Sequence, residues 1–134
     1  PETDNVVLVS AINRKTKIKA MLKDGKPHVL IKVRYEAEID EKVSPKIWLT
    51  ESSLLKKIEK ETSKDASKSI RKLIARTQKK GSDVLGFGEH FRAKFPRYWN
   101  EKIGTKEKWE KNYKELTYDI QVETHIHRVG MKAK

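Results

Sequence analysis

Apolar and polar residues alternate through the first third of the chain. Val6 to Ile12 is mostly apolar, which suits a strand covered on both faces or a bulged one. From Thr16 to Leu22, the residues Ile18, Ala20 and Leu22 alternate with Lys17, Lys19 and Met21. Asp24-Gly25 supplies the positive-φ residues of a tight hairpin, and Pro27 stands at a strand start, where its missing N–H is tolerated. Beyond it, Val29, Ile31, Val33, Tyr35, Ala37 and Ile39 share one face, and Lys32, Arg34, Glu36 and Glu38 the other. This pattern predicts a long, half-buried antiparallel strand.

Past Ser44-Pro45 the period changes. Leu55, Ile58, Thr62, Ala66, Ile70, Leu73, Ile74 and Thr77 recur every three or four residues, as along one stripe of a helix. Thr50 and Glu51 suit its N-terminus, and Gly81 after Lys79-Lys80 suits its C-cap. Such a helix has about 30 residues and a length of roughly 45 Å. Its polar centre, Glu61 to Ser69, is the expected place for a break. Ser82 or Asp83 is expected to cap a second helix carrying Val84, Phe87, Phe91 and Phe95 and ending at Pro96. Residues 97–116 read as short helical turns anchored by Tyr98, Trp99, Ile103, Trp109 and Tyr113. A closing strand places Tyr118, Ile120, Val122, Thr124 and Ile126 opposite Asp119, Gln121, Glu123, His125 and His127.

Strands, then helices, then a strand give the α+β class: an antiparallel sheet of about four strands, with a long helix and shorter helices mainly on one face. The expected division of a single domain is 1–43 strands, 46–116 helices and 117–130 final strand. The first residue is Pro1 rather than Met, so a fragment or a processed form of a longer protein is expected.

Charge adds a candidate partner class. The chain carries 31 Lys plus Arg against 19 Asp plus Glu, a net +12, which suits either an anionic partner or a well-solvated surface. Lysine dominates and is spread along the chain, whereas arginine is the residue of bidentate phosphate recognition. Basic residues with Tyr98, Trp99, Trp109 and Tyr113 form the basis of an alternative reading, a basic nucleic-acid-binding domain. Against it, the aromatics fall at core spacing and no nucleic-acid motif is present, so no specific nucleic acid is expected.

Catalytic chemistry finds no constellation. There is no Cys, and none of His28, His90, His125 and His127 stands in a nucleophile context. His125-x-His127 beside Glu123 has zinc-ligand spacing but no identifiable third ligand, so no metal, cofactor or catalytic residue is expected. Gly81 to Gly88 lacks the Lys-Ser/Thr end of a phosphate loop. Gly86 and Gly88 near a helix imply a close approach of other groups.

The run Asp83-Val84-Leu85-Gly86-Phe87-Gly88-Glu89, then Phe91, then Phe95-Pro96-Arg97-Tyr98-Trp99, resembles the C-terminal domain of the Ger(x)C family, the lipoprotein C subunits of bacterial spore germinant receptors. Trp109-Glu110 with Tyr113, and His127-Arg128-Val129-Gly130 at the end, are similar to the family's later features. Lys114 stands where the family commonly has a proline, and the Gly104-Thr105-Lys106 loop is longer. The resemblance implies a non-catalytic domain acting in spore germination through protein–protein contacts. It implies membrane-embedded A and B receptor subunits as partners, and an upstream lipid anchor holding the full-length protein on the outer face of the spore inner membrane. The motif residues Asp83, Gly86, Phe87, Gly88, Glu89, Phe91, Pro96, Tyr98, Trp99, Trp109 and Gly130 are expected to be structural.

Overall fold

The computed structural model describes residues 9–40 and 45–129. Among these, β1 (Val9–Lys23) and β2 (Lys26–Asp40) form a hairpin. There follow α1 (Pro45–Lys80), α2 (Phe87–Lys94), α3 (Pro96–Tyr98), a single π turn (Trp99–Ile103), α4 (Lys106–Lys114) and β3 (Thr117–Val129). The strands form one sheet in the order β1-β2-β3. The class is α+β, as expected, with three strands rather than about four. The segments at 6–12 and 16–22 belong to one strand from Val9 onward, because Asn13-Arg14-Lys15 stays extended instead of turning. Residues 6–8 lie outside the described residues.

Asp24 at φ 54° and Gly25 at φ 77° make the expected two-residue turn, so β1 and β2 are antiparallel. The third strand joins differently. Arg34 meets Glu123 and Glu36 meets His127, so partner numbers rise together along β2 and β3. The two strands therefore run parallel. Their long connection through α1–α4 is the crossover that parallel pairing needs.

α1 is continuous over 36 residues and begins at Pro45, which places Thr50 inside the helix rather than at its cap. Proline is favoured in a first turn because its missing N–H has no intrahelical partner there. The C-terminus is as expected. Gly81 adopts φ 66°, its N–H donates to Gln78 O at 3.0 Å, and Ser82 N–H donates to Thr77 O at 3.0 Å. That is the paired bonding of a Schellman cap.

The described residues form two compact units, one of residues 9–15, 33–40, 45–66 and 122–129 and the other of residues 16–32 and 67–121. In the first, Val33, Ala37, Leu55 and Thr124 are buried. The polar middle of α1 is held here rather than broken. Ser63 Oγ lies 2.8 Å from Thr124 Oγ1, and Glu59 Oε2 accepts from Ile126 N–H at 2.9 Å. Thr62, expected on the buried stripe, is exposed, and Ser63 takes the inward position.

In the second unit Ala20, Val29, Ile31, Ile74, Phe87, Phe91, Ile103, Trp109, Tyr113 and Leu116 are buried. Leu73 is 41% exposed, because Ile74 occupies the inward position on that turn. His28 is also buried, with Nδ1 2.6 Å from Thr117 Oγ1 and Nε2 2.9 Å from Asp119 Oδ2, so both ring nitrogens have partners.

Tyr113 is fully enclosed at 0% exposure. Thr77 Oγ1 donates to Ile74 O at 2.9 Å and therefore accepts from Tyr113 O–H, 2.6 Å away. Burial pushes the Tyr113 phenol above its usual pKa, the Thr77 bond opposes this, and Asp83 and Tyr118 add to the rise. A phenol raised in the folded state stabilises fully below the unfolded pKa of about 10, and that stability is lost as pH climbs beyond it. Urea melts from pH 8 to 11 are expected to show falling stability, with a shallower fall for Tyr113→Phe. That variant loses about 1 kcal/mol at neutral pH with its hydrogen bond.

Candidate functional site

The loop between α1 and α2 is built around one carboxylate. Gly86 takes φ 76° at the N-cap of α2, a conformation that disfavours any side chain. Gly86 itself makes no side-chain cap, so the first N–H groups of α2 need an acceptor from elsewhere. Asp83 supplies it. Its Oδ1 accepts from Phe87 N–H at 2.9 Å and its Oδ2 from Gly88 N–H at 2.7 Å. The same Oδ2 accepts from the Trp109 indole N–H at 3.0 Å, tying α4 to the start of α2.

Gly88 is required by this arrangement. A Cβ there would stand 2.8 Å from Trp109 Nε1, 3.0 Å from its Cε2 and 3.2 Å from Asp83 Oδ2. Trp109 then links a chain of rings. Its centroid lies 5.7 Å from Phe91, 5.3 Å from Trp99 and 6.2 Å from Tyr113, and Tyr113 lies 6.3 Å from Phe87. These tilted pairs each add about 0.5–1.5 kcal/mol beyond burial. The structure thus brings Asp83, Gly86, Phe87, Gly88, Phe91, Trp99 and Trp109 together. Phe87 and Phe91 are buried, but Trp99 is only half-buried, because Trp109 fills the inner position and Trp99 covers it.

Other motif residues stand apart. Pro96 opens α3, and Phe95 N–H donates to Phe91 O at 2.8 Å as α2 ends. Tyr98 is half-buried, and burial raises its phenol pKa. Glu89 is exposed and lies 3.8 Å from Arg92. Gly130 lies outside the described residues. The Gly104-Thr105-Lys106 loop ends the π turn with Gly104 at φ 67° and starts α4, where Thr105 Oγ1 accepts from Lys108 N–H at 3.2 Å.

A cavity of about 600 Å³ opens beside the loop, where Asp83, Gly86, Gly88, Trp99 and Trp109 form much of its wall. The Asp83 carboxylate at its edge accepts from three N–H groups.

The two histidines of β3 face different carboxylates. His125 Nε2 lies 3.3 Å from Glu123 and His127 Nε2 3.4 Å from Glu36. Arg34 bridges the two acids at 3.1 Å to Glu36 and 3.5 Å to Glu123. The Arg34 hydrogen bond is the main cause holding the Glu36 carboxyl below its usual range. Among the described residues no group of three or more His, Cys, Asp or Glu is placed to hold a metal. The sequence reading missed the Asp83–Trp109 bond and the buried His28, since no local pattern signals contacts across 26 or 89 and more residues.

The chain matches, over residues 1–130, the family described as spore germination B3/GerAC-like, C-terminal. It is 32% identical over 132 residues to spore germination protein KC of Bacillus subtilis (strain 168), covering 98% of this chain and 31% of that protein. It is 25% identical over 121 residues to spore germination protein B3 of the same organism, covering 90% and 32%. Its fold matches the crystal structure of the GerBC protein with a TM-score of 0.70 at 20% identity, over 90% of this chain and 40% of that one. The chain therefore spans about a third of the length of the curated relatives it matches.

Asp83→Ala leaves three N–H groups without their acceptor and is expected to cost about 2–3 kcal/mol in urea melts, with Asp83→Asn costing less. Phe91→Ala is expected to cost about 3–5 kcal/mol, and Trp99→Ala clearly less, since Trp99 is half-exposed. Calorimetric titration with zinc is expected to give no sub-micromolar response. A stoichiometric one would assign His125 and His127 a metal after all.

Proposed function

We propose, from the premise that the chain belongs to the spore germination B3/GerAC-like C-terminal family, that it is a non-catalytic contact module of a germinant receptor C subunit. Its partners in this reading are the membrane-embedded A and B subunits. A lipid anchor elsewhere in the full-length protein holds it on the outer face of the spore inner membrane. No helix among the described residues is long and apolar enough to cross a membrane.

The observation that carries the reading is the commitment of the motif. Asp83 is consumed by three hydrogen bonds, Gly88 by the approach of Trp109, and Phe87 and Phe91 by burial. These contacts support a scaffolding role for the motif, with the surface left to meet partners. The nucleic-acid alternative loses two of its four aromatics, since Tyr98 and Trp99 alone stay half-exposed. Trp109 and Tyr113 are buried and present no ring face to a base. The excess of lysine then contributes weak, salt-sensitive attraction to anionic surfaces.

The test is made in spores. Residues 1–134 are deleted from the full-length protein, and the remainder is confirmed to be made and anchored. Loss of the nutrient response with the response to non-nutrient triggers intact is expected. Unchanged nutrient germination with a stable truncated protein contradicts the reading.

A further inference from the structure

Among the described residues β1 is an edge of the three-stranded sheet, and one row of its backbone groups has no strand partner there. The two-residue loop at Asp24-Gly25 sets the hairpin register and decides which groups these are. Lys23 opposes Lys26, so Lys19 opposes Leu30 and Lys17 opposes Lys32 in hydrogen-bonded pairs, and Ile18 and Ala20 turn their N–H and C=O outward. Lys94 of α2 agrees with this register, since its Nζ donates to the Ala20 carbonyl at 3.1 Å. α2 thus runs beside the free edge without pairing along it. Between them lies an open groove of about 820 Å³.

The walls of that groove are specific in chemistry. Ile18, Ala20, Leu30 and Ala93 give it apolar surface, and Lys17, Lys19, Lys32 and Lys94 line it with cations. Lys17 and Lys32 stand directly across the two strands, where like charges are destabilising. Among the described residues, neither they nor Lys19 has a carboxylate within ion-pair distance. Glu89 also borders the groove but lies 3.8 Å from Arg92 on its own helix. A ligand bringing carboxylates at strand spacing relieves the repulsion and pairs the edge at once.

We infer that the free edge of β1 accepts an acidic, extended segment of a partner polypeptide, laid as an added strand into the groove beside α2. Backbone bonds to Ile18 and to the Ala20 N–H give the affinity. Alternate side chains give the selectivity, acids toward Lys17, Lys19 and Lys32 and apolar residues toward Ile18 and Ala93. A nucleic acid fits less well, because His90 is the one ring that lines the groove and no Phe, Tyr, Trp or arginine does. A flat bilayer cannot enter a concave groove to reach its apolar wall. The inference rests on the contact-module reading and names the surface it uses.

The probe is a labelled peptide of about eight alternating Glu and Val residues, a common strand length, titrated into this chain by anisotropy and amide NMR. Saturable binding that weakens with salt is expected, with the largest shifts and slowed exchange at the Ile18 and Ala20 amides. An alternating Lys–Val peptide should not bind. Lys17→Glu with Lys32→Glu should weaken binding about tenfold. Ile18→Pro should abolish binding, since it removes an outward N–H where an edge tolerates proline. If Ile18→Pro fails to fold, the charge-reversed pair decides. Unchanged affinity in folded variants, unshifted β1 amides, or binding to phosphatidylglycerol vesicles but not to the peptide would overturn the inference. In spores, a normal nutrient response from the charge-reversed protein, where deletion of residues 1–134 abolishes it, overturns the edge site and leaves the contact reading standing.

Discussion

Three N–H groups converge on the Asp83 carboxylate, two from the first turn of α2 and one from the indole of Trp109. An ionised acceptor makes these bonds shorter and stronger than neutral ones, and leaving the donors unpaired inside the fold is costly. The geometry dictates much of the neighbouring sequence. Gly86 must reach φ 76° so that the chain can swing α2 over the carboxylate. Gly88 must lack a side chain so that the Trp109 ring can reach the same oxygen. Once Trp109 is fixed, the ring chain through Phe91, Tyr113 and Phe87 has one way to pack.

The same unit is closed from the other side by α1. Gln78 Nε2 donates to Tyr113 O at 2.9 Å and to Leu116 O at 2.8 Å, which satisfies carbonyls left over where α4 ends. Thr77 takes the Tyr113 hydroxyl, and Gly81 ends the helix one turn later. The last turns of α1 therefore act on α4 through polar contacts, while Ile74 and Tyr113 supply the buried apolar volume. Packing and hydrogen bonding reinforce one another here, through a motif of small, acidic and aromatic residues.

Periodicity made much of this fold legible. The faces of β2 and β3, the Asp24-Gly25 turn and the Gly81 cap follow from local rules, and each stands where those rules put it. Three features did not follow. The third strand runs parallel to β2, because strand direction depends on the whole crossover and not on any residue within the strand. α1 does not break at its polar centre, because Glu59 and Ser63 find partners on β3 that no helical pattern reveals. Trp99 is half-exposed and Trp109 buried, since two tryptophans of equal hydrophobicity are told apart only by which one reaches Asp83. The motif was visible as unusual glycines beside a helix, but its cause, an indole arriving from α4, is a tertiary contact.

Asp83, half-buried, is the acceptor that locks α2 to α4. Native-state hydrogen exchange on the Phe87 and Gly88 amides and the Trp109 indole N–H tests this most directly. All three protons are expected to exchange slowly and with the same opening free energy, that of the surrounding core, because one carboxylate holds them together. Fast exchange of the two amides, or opening energies that differ among the three, would contradict it.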